Sequence, residues 1–206
     1  MEVENLTEIK TAHPTRRIHP LIAQRWSPYS FSSKPVPDQD LAALFEAASW
    51  AASSFNEQPW RYFVAAGADD PQGFAKLLSL LTPANQNWAK HAPVLAISVG
   101  KKTFSHNGNP NRVAIHDVGA ASATLTFEAP ARGLVVHQMA GVHVTGAREA
   151  LGIPEDFDVV AAIAIGYLAD PDDVEESLRQ RDAKPRRRKP LKEFVFTTEW
   201  ERPAQL

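Results

Sequence analysis

The chain has 206 residues, 44% hydrophobic and 22% charged, with a formal net charge of -2 at pH 7 and a pI near 6.4. This length suits one domain with a sizeable core and not two comfortable ones, and the composition is that of a folded globular chain. Mild acidity speaks against a nucleic-acid binder held by bulk electrostatics, and the absence of cysteine removes disulfides, thiolate metal sites and a cysteine nucleophile.

Residues 1–10 are polar and acidic, without the apolar segment of a secretory leader, and no run approaches the ~20 apolar residues of a membrane helix. With the lack of cysteine this predicts a cytoplasmic protein with no membrane partner. Residues 1–15, ending in His13-Pro14, read as a loosely held, flexible extension, and residues 16–206 as a single domain. Ile18, Leu21 and Ile22 form a short helical stripe running into Gln24-Arg25-Trp26-Ser27-Pro28, where Pro28 stops the helix. Arg25 and Ser27, two residues apart, can grip a phosphate together, the Arg by its fork and the Ser as a donor. The same run also reads as solvated surface.

Lys34 to Asp38 is a loop ending in an N-cap, and Leu41, Leu44, Phe45 and Ala48 follow helical spacing after it. The period then breaks at Ser53-Ser54-Phe55-Asn56-Glu57-Gln58-Pro59-Trp60 before a β-rich run from Arg61 to Ala66. Asn56 and Gln58 each offer a donor and an acceptor that can read the edge of a planar heterocycle, with Ser53 and Ser54 packed against its face. A helix end stopped by polar residues and Pro59 is the plainer reading. Asp70-Pro71 caps a helix carrying Phe74, Leu77, Leu78 and Leu81. Asn85, within Pro83 to Pro93, reads by itself as a helix cap before the apolar strand Val94–Val99.

Residues 101–111 form an exposed loop rich in Asn, Gly and Lys. Arg112 to Arg132 is the longest helical pattern, closed or kinked by Pro130 and capped by Gly133. Leu134 to His137 is a short strand that delivers Gln138-Met139-Ala140-Gly141, whose small residues allow close backbone approach or a plain turn into a helix from about Thr145 to Leu151. Val159 to Tyr167 is a buried central strand. Asp170-Pro171 caps a charged helix to about Asp182, followed by the basic run Lys184 to Leu191 and a strand-like Phe194 to Thr197. That basic run reads as a solvated face, a nucleic-acid patch or an anion grip.

Scattered histidines without H-x-x-x-H or H-E-x-x-H spacing leave no metal site. G-x-S-x-G, G-x-G-x-x-G and G-x-x-x-x-G-K-[ST] are all absent, which sets aside hydrolase, Rossmann and P-loop sites.

The run S-S-x-N-x-Q-P-W-x-[FY] at residues 53–62, the R-x-S at Arg25–Ser27 followed by Phe31, the N-Q-x-W-x-x-x-A-P beginning at Asn85, and the basic-x-Arg at Arg186–Arg188 before a K-P-L run together resemble the FMN-dependent nitroreductase family. The resemblance covers roughly residues 20–197. It implies an α+β three-layer sandwich: a central mixed sheet of about five strands, beginning near Arg61, Val94, Leu134, Val159 and Phe194, flanked by helices. The last strand is exchanged in a homodimer, and Asp117 to Ala121 lie in its central helix. It implies FMN held by Arg25, Trp26, Ser27, Ser53, Ser54, Asn56, Gln58, Asn85, Gln138, Met139, Ala140, Gly141, Arg186 and Arg188, with Asn85 on the flavin ring and the Ala140 amide donating to N5. A further basic residue common two positions after the serine is here Tyr29, and Arg186 with Arg188 would make up that charge.

The implied activity is ping-pong reduction of nitroaromatics, quinones or related small acceptors by NADH or NADPH, with no catalytic side chain required from the protein. Related FMN chemistry such as enone reduction or reductive dehalogenation, and flavin binding or storage with little turnover, are the alternatives. A structural dimer with a nucleic-acid tail is the reading without flavin.

Overall fold

The computed structural model describes residues 3–206. In chain order the elements are α1 (Val3–Lys10), α2 (Pro20–Gln24), β1 (Phe31–Ser32), α3 (Asp38–Ser49), β2 (Trp60–Ala66), α4 (Pro71–Ser79), α5 (Pro83–Ala89), β3 (Val94–Lys101), α6 (Ala114–Glu128), β4 (Val135–Met139), α7 (Val144–Leu151), β5 (Phe157–Leu168) and α8 (Glu176–Asp182).

The sheet is built around β5. One side of it pairs with β3, which pairs in turn with the edge strand β2; the other side pairs with β4 over Ala162–Gly166 and with β1 at Tyr167 and Leu168. Every one of these pairings is antiparallel, where a mixed sheet was expected. β3 is buried along Val94–Gly100, which means that both of its faces are covered. Leu95, Ile97 and Val99 pack with Leu77, Leu81 and Trp88 of the α4–α5 layer, while Val94 and Ala96 pack with Leu44, Ala48, Val118 and Leu125 of α3 and α6. The period-two alternation of one apolar strand thus produces the three layers of an α+β sandwich. Among the described residues no helix is long and apolar enough to cross a membrane.

Local signals work as expected at several ends. The Asp70 carboxylate accepts the Gly73 amide at 2.8 Å and caps α4. α6 closes at Glu128, and Pro130 begins a 3-10 turn over Ala129–Arg132 that ends on Gly133 at φ 67. Such a left-handed cap favours glycine.

Three expectations need correction. Residues 3–10 form a helix, and Leu6 and Lys10 are buried; contacts made far along the chain hold the segment, so local polarity does not leave it loose. Phe194–Thr197 does not form a strand. Leu191–Glu193 is a 3-10 turn and Phe196 makes an isolated bridge to Pro203, because strand geometry needs an edge and no strand of this chain offers one there. The fifth strand is instead β1, two residues defined only by pairing with the end of β5.

Candidate cofactor site

At the end of α2, Arg25 caps the helix and its Nη1 donates to Ser27 Oγ at 3.2 Å. The C-terminal arm arrives at the same place. Arg186 Nη1 donates to the carbonyls of Lys10 (2.9 Å) and Ala23 (2.6 Å), and Lys10 Nζ donates to the Lys184 carbonyl at 2.6 Å. Arg186 therefore pins the arm across the C-terminal ends of α1 and α2, where carbonyls lack helical partners. Burial first, then the nearby Arg186 and Arg188, lower the Arg25 pKa from its ordinary value; burial and Arg188 do the same to Arg186. Among the described residues no carboxylate forms an ion pair with Arg25, Arg186 or Arg188. The closest buried acid, Asp182, is taken up by the Tyr29 and Ser30 amides. A guanidinium group without a counterion, beside a serine hydroxyl, fits a phosphate dianion.

Trp26 stands between Arg25 and Ser27. Its ring is buried under the Lys10 ammonium, 4.8 Å from the ring centre, and lines a cavity of about 380 Å³ between α2, the end of α6 and the start of β4.

The second group lies where β4 ends. Gly141 accepts the Thr82 amide at 2.9 Å and the Asn85 side-chain nitrogen at 3.2 Å, and Leu81 bridges to Val142. A Cβ on Gly141 would fall on Asn85 Nδ2 and Thr82 Oγ1, so glycine is what lets these two side chains approach the backbone so closely. Asn85 is therefore not the cap of α5, which is Thr82, but a side chain turned toward Gly141. Ala140 is exposed beside it. Gln138 and Met139 lie at the end of β4, just before Ala140. Gln138 Nε2 donates to the Ser122 carbonyl (3.0 Å) and Thr126 Oγ1 (2.8 Å) on α6, and Met139 is buried in the core; alternation along β4 points the two to opposite faces of the sheet.

His137 joins these two groups. Its Nδ1 donates to the Pro28 carbonyl at 2.8 Å, which ties the Arg25–Ser27 segment to β4, and its ring packs on Trp88 (4.4 Å) and Tyr29 (4.8 Å). Nothing in the sequence pattern singled it out.

The third group is the 53–58 segment. Phe55, Asn56 and Gln58 have φ values of 53, 54 and 50, a left-handed conformation that costs non-glycine residues roughly 1–3 kcal/mol each. A plain helix stop does not require that. The segment is held by the buried carboxylate of Asp117 on α6, which accepts the Ser54 amide at 3.0 Å, and by Glu57, which accepts the Ser105 amide (2.9 Å) and hydroxyl (2.6 Å). Ser53 Oγ accepts the Gln58 amide at 3.0 Å and so shapes the turn as well as lining it. Asn56 and Gln58 are exposed. Asp117 and Ser105 escaped the sequence reading because neither contact is local.

No hydrogen bond or ring contact among the described residues joins this third group to the other two. Trp60, Gly100 and Asp158 are level across the sheet, as are Val136 and Ile165. Asp158 and Ile165 stand seven residues apart on β5, roughly 23 Å at ~3.3 Å per residue. β4 ends at Met139 opposite Ala162, so the Ala140–Gly141 backbone continues toward the level of Asp158, and one chain presents the anion grip and ring platform beside β4 and a polar, strained turn beside β2, with β5 and β3 between them.

The nitroreductase family model matches residues 22–85 and 66–167 of the chain, most of its length, and the chain belongs to the nitroreductase family. A crystal structure of an oxidoreductase containing FMN is 34% identical, with a TM-score of 0.84 over 91% of this chain and 95% of that one. A protein from Archaeoglobus fulgidus, provisionally named a NADH dehydrogenase/NAD(P)H nitroreductase, is 25% identical over 76% of this chain and 88% of its own length. An uncharacterized 15.4 kDa protein of Mycolicibacterium smegmatis is 41% identical over 45% of this chain, a match that spans 62% of that relative.

Proposed function

We propose that the protein is an FMN-dependent NAD(P)H oxidoreductase that reduces nitroaromatics, quinones or related small acceptors. The observation that carries this reading is the guanidinium group of Arg25, Arg186 and Arg188, without a carboxylate partner and tied through His137 to the Asn85–Gly141 platform. Membership of the nitroreductase family and the 34% identity to an FMN-containing oxidoreductase support the choice of cofactor, and the named archaeal relative supports NADH or NADPH as reductant.

In this reading Arg25, Ser27 and Arg188 hold the phosphate, Arg186 fixes the arm that brings Arg188, and Asn85 with the Ala140–Gly141 backbone orients the ring. When bound, FMN would supply the hydride chemistry that links a reduced nicotinamide to an acceptor. The protein's part is to bind and orient. Among the described residues there is no cluster fit to hold a metal ion.

The working form is a homodimer. The 53–58 turn leads into β2 and the anion grip lies beside β4, with β5 and β3 between them, which favours a site completed by a second copy, and a two-fold pair would complete two such sites at once. Leu191, Phe194 and Trp200 on the arm are exposed in the single chain and would be covered by that copy. Residues 16–206, arm included, act as one unit, and the absence of cysteine suits a reducing cytoplasm.

The test is to purify the protein, record its visible spectrum, release the cofactor with acid and follow NAD(P)H oxidation with a quinone or a nitroaromatic added. A flavin spectrum, released FMN and acceptor-dependent oxidation are expected. Failure to take up FMN would refute the proposal, and full FMN occupancy without turnover would reassign the protein to flavin binding.

A further inference from the structure

The last two residues of α8 both act on Tyr29. Asp182 is 1% exposed, and its two oxygens accept the Tyr29 amide at 2.9 and 3.2 Å and the Ser30 amide at 3.0 Å. The Arg181 guanidinium lies 3.5 Å over the Tyr29 ring, within cation–π range. That ring meets Trp88 edge-on at 5.3 Å and His137 at 4.8 Å. Trp88 follows Asn85 by one helical turn on α5, and His137 precedes Gly141 by four residues on the strand that leads to it. Arg181 is therefore anchored beside the ring platform. It does not act on Arg25, whose charged neighbours are Arg186 and Arg188.

Arg181 is exposed and has no acidic partner among the described residues. Among the described residues it forms no ion pair, and the carboxylate next to it is directed at backbone amides. The other titratable neighbour, His137, is held toward its neutral form by burial. Tyr29 contributes a flat surface and no charge, so α8 supplies by stacking a cation that position 29 lacks.

We propose that Arg181 is a redox-tuning residue, a cation stacked on Tyr29 beside the ring platform that favours the reduced form of bound FMN. This rests on the FMN reading above. Hydride from NADH or NADPH brings two electrons and one proton to the flavin ring and leaves the nicotinamide oxidised, so the ring gains one negative charge. The ring then loses that hydride to an acceptor such as a quinone, which takes one more proton from solvent. A fixed positive charge nearby stabilises the negative form over the neutral oxidised one.

The experiment measures the two-electron midpoint potential of the FMN-loaded protein, together with its affinity for oxidised FMN and its thermal midpoint, for the parent, Arg181→Gln and Arg181→Lys. Arg181→Gln is expected to lower the potential by about 30 mV, a tenfold loss of preference for reduced over oxidised flavin, with affinity for oxidised FMN little changed. Arg181→Lys, which keeps the charge, should recover most of the shift. An unchanged potential in Arg181→Gln would overturn the proposal, and so would a shift that Arg181→Lys fails to recover. A loss of thermal stability or of affinity for both redox forms with the potential held at the parent value would make Arg181 a packing residue, which also overturns it. A parent protein that takes up no FMN would remove the cofactor reading and this inference with it.

Discussion

A single methyl group at position 141 separates the role of the ring platform from its contribution to stability. Gly141 does not have a left-handed φ, so Gly141→Ala meets no backbone strain. Its Cβ would instead fall on Asn85 Nδ2 and 2.6 Å from Thr82 Oγ1, the mobile ends of two side chains. Both can rotate away. The move breaks the 3.2 Å bond from Asn85 to the Gly141 carbonyl, worth about 0.5–1.5 kcal/mol, and the loss is offset by the ~0.4–1 kcal/mol that a Gly→Ala change gains through the unfolded chain. Stability should change by less than about 1 kcal/mol by this difference. Cofactor binding has no such offset, because a displaced Asn85 no longer meets the ring. Loss of a neutral hydrogen bond of ~1–1.5 kcal/mol corresponds to a roughly five- to tenfold weaker FMN complex. Asn85→Ala should cost the same, and the double variant should be no worse than either single one, since both remove one interaction. Quenching of FMN fluorescence on titration gives the affinities, and thermal unfolding gives the stabilities. Parental FMN affinity in Gly141→Ala, or effects that add in the double variant, would refute the placement of Asn85 on the flavin.

Arg188→Ala should weaken FMN roughly tenfold, as loss of a charge-assisted bond implies, and leave riboflavin, which has no phosphate, unaffected; equal loss for both ligands would move Arg188 off the phosphate. Asn56→Gly should leave thermal stability unchanged or raised, because it relieves the strain at φ 54, while weakening FMN; a destabilised variant with normal FMN binding would contradict a functional origin for that strain. His137 has a folded-state pKa lowered from 6.5, by burial first. As pH falls below 6.5 the unfolded chain takes up a proton that the folded chain refuses, so stability should fall until pH passes the folded pKa, and urea midpoints for His137→Gln should show a smaller fall over that range. Removing every residue after Asp182 deletes Arg188, both carbonyl bonds of Arg186 and the acceptor of Lys10, so FMN content and dimer fraction should drop together; a truncated protein that keeps both by light scattering and spectroscopy would separate the arm from the site.

Much of the fold was legible because its signals are local. The cap at Asp70, the periodicity of Leu41, Leu44 and Ala48, the closing Pro130 and Gly133, and the unbroken apolar runs of β3 and β5 each announce an element within a few residues. Elements made by distant contacts were not legible. α1 is polar, yet Lys10 is held by Lys184 and Arg186 from the far end of the chain. β1 exists only through its pairing with Tyr167 and Leu168. Phe194–Val195–Phe196 failed in the opposite sense, because apolar β-formers read as a strand whether or not an edge is present to receive them.

The site divides along the same line. Residue types that contact a ligand stand in short runs that spell them out, such as Arg25–Ser27 and Ser53–Gln58, whereas the residues that position those runs come from elsewhere in the chain. Asp117 holds Ser54 from 63 residues away, His137 holds Pro28 from 109, and Asp182 holds Tyr29 from 153. Those supports tie each group to its own side of the sheet, and among the described residues no hydrogen bond or ring contact joins the 53–58 segment to the grip around Arg25. In the proposed homodimer a second copy related by a two-fold axis would bring its turn to the first copy's grip and receive the first copy's turn at its own. The same operation would supply cover for the exposed arm and make assembly and cofactor binding depend on one set of contacts, so FMN occupancy should rise and fall with protein concentration through the dimerisation range. Occupancy that stays constant across that range, with monomer demonstrated at its lower end, would place the whole flavin site within one chain.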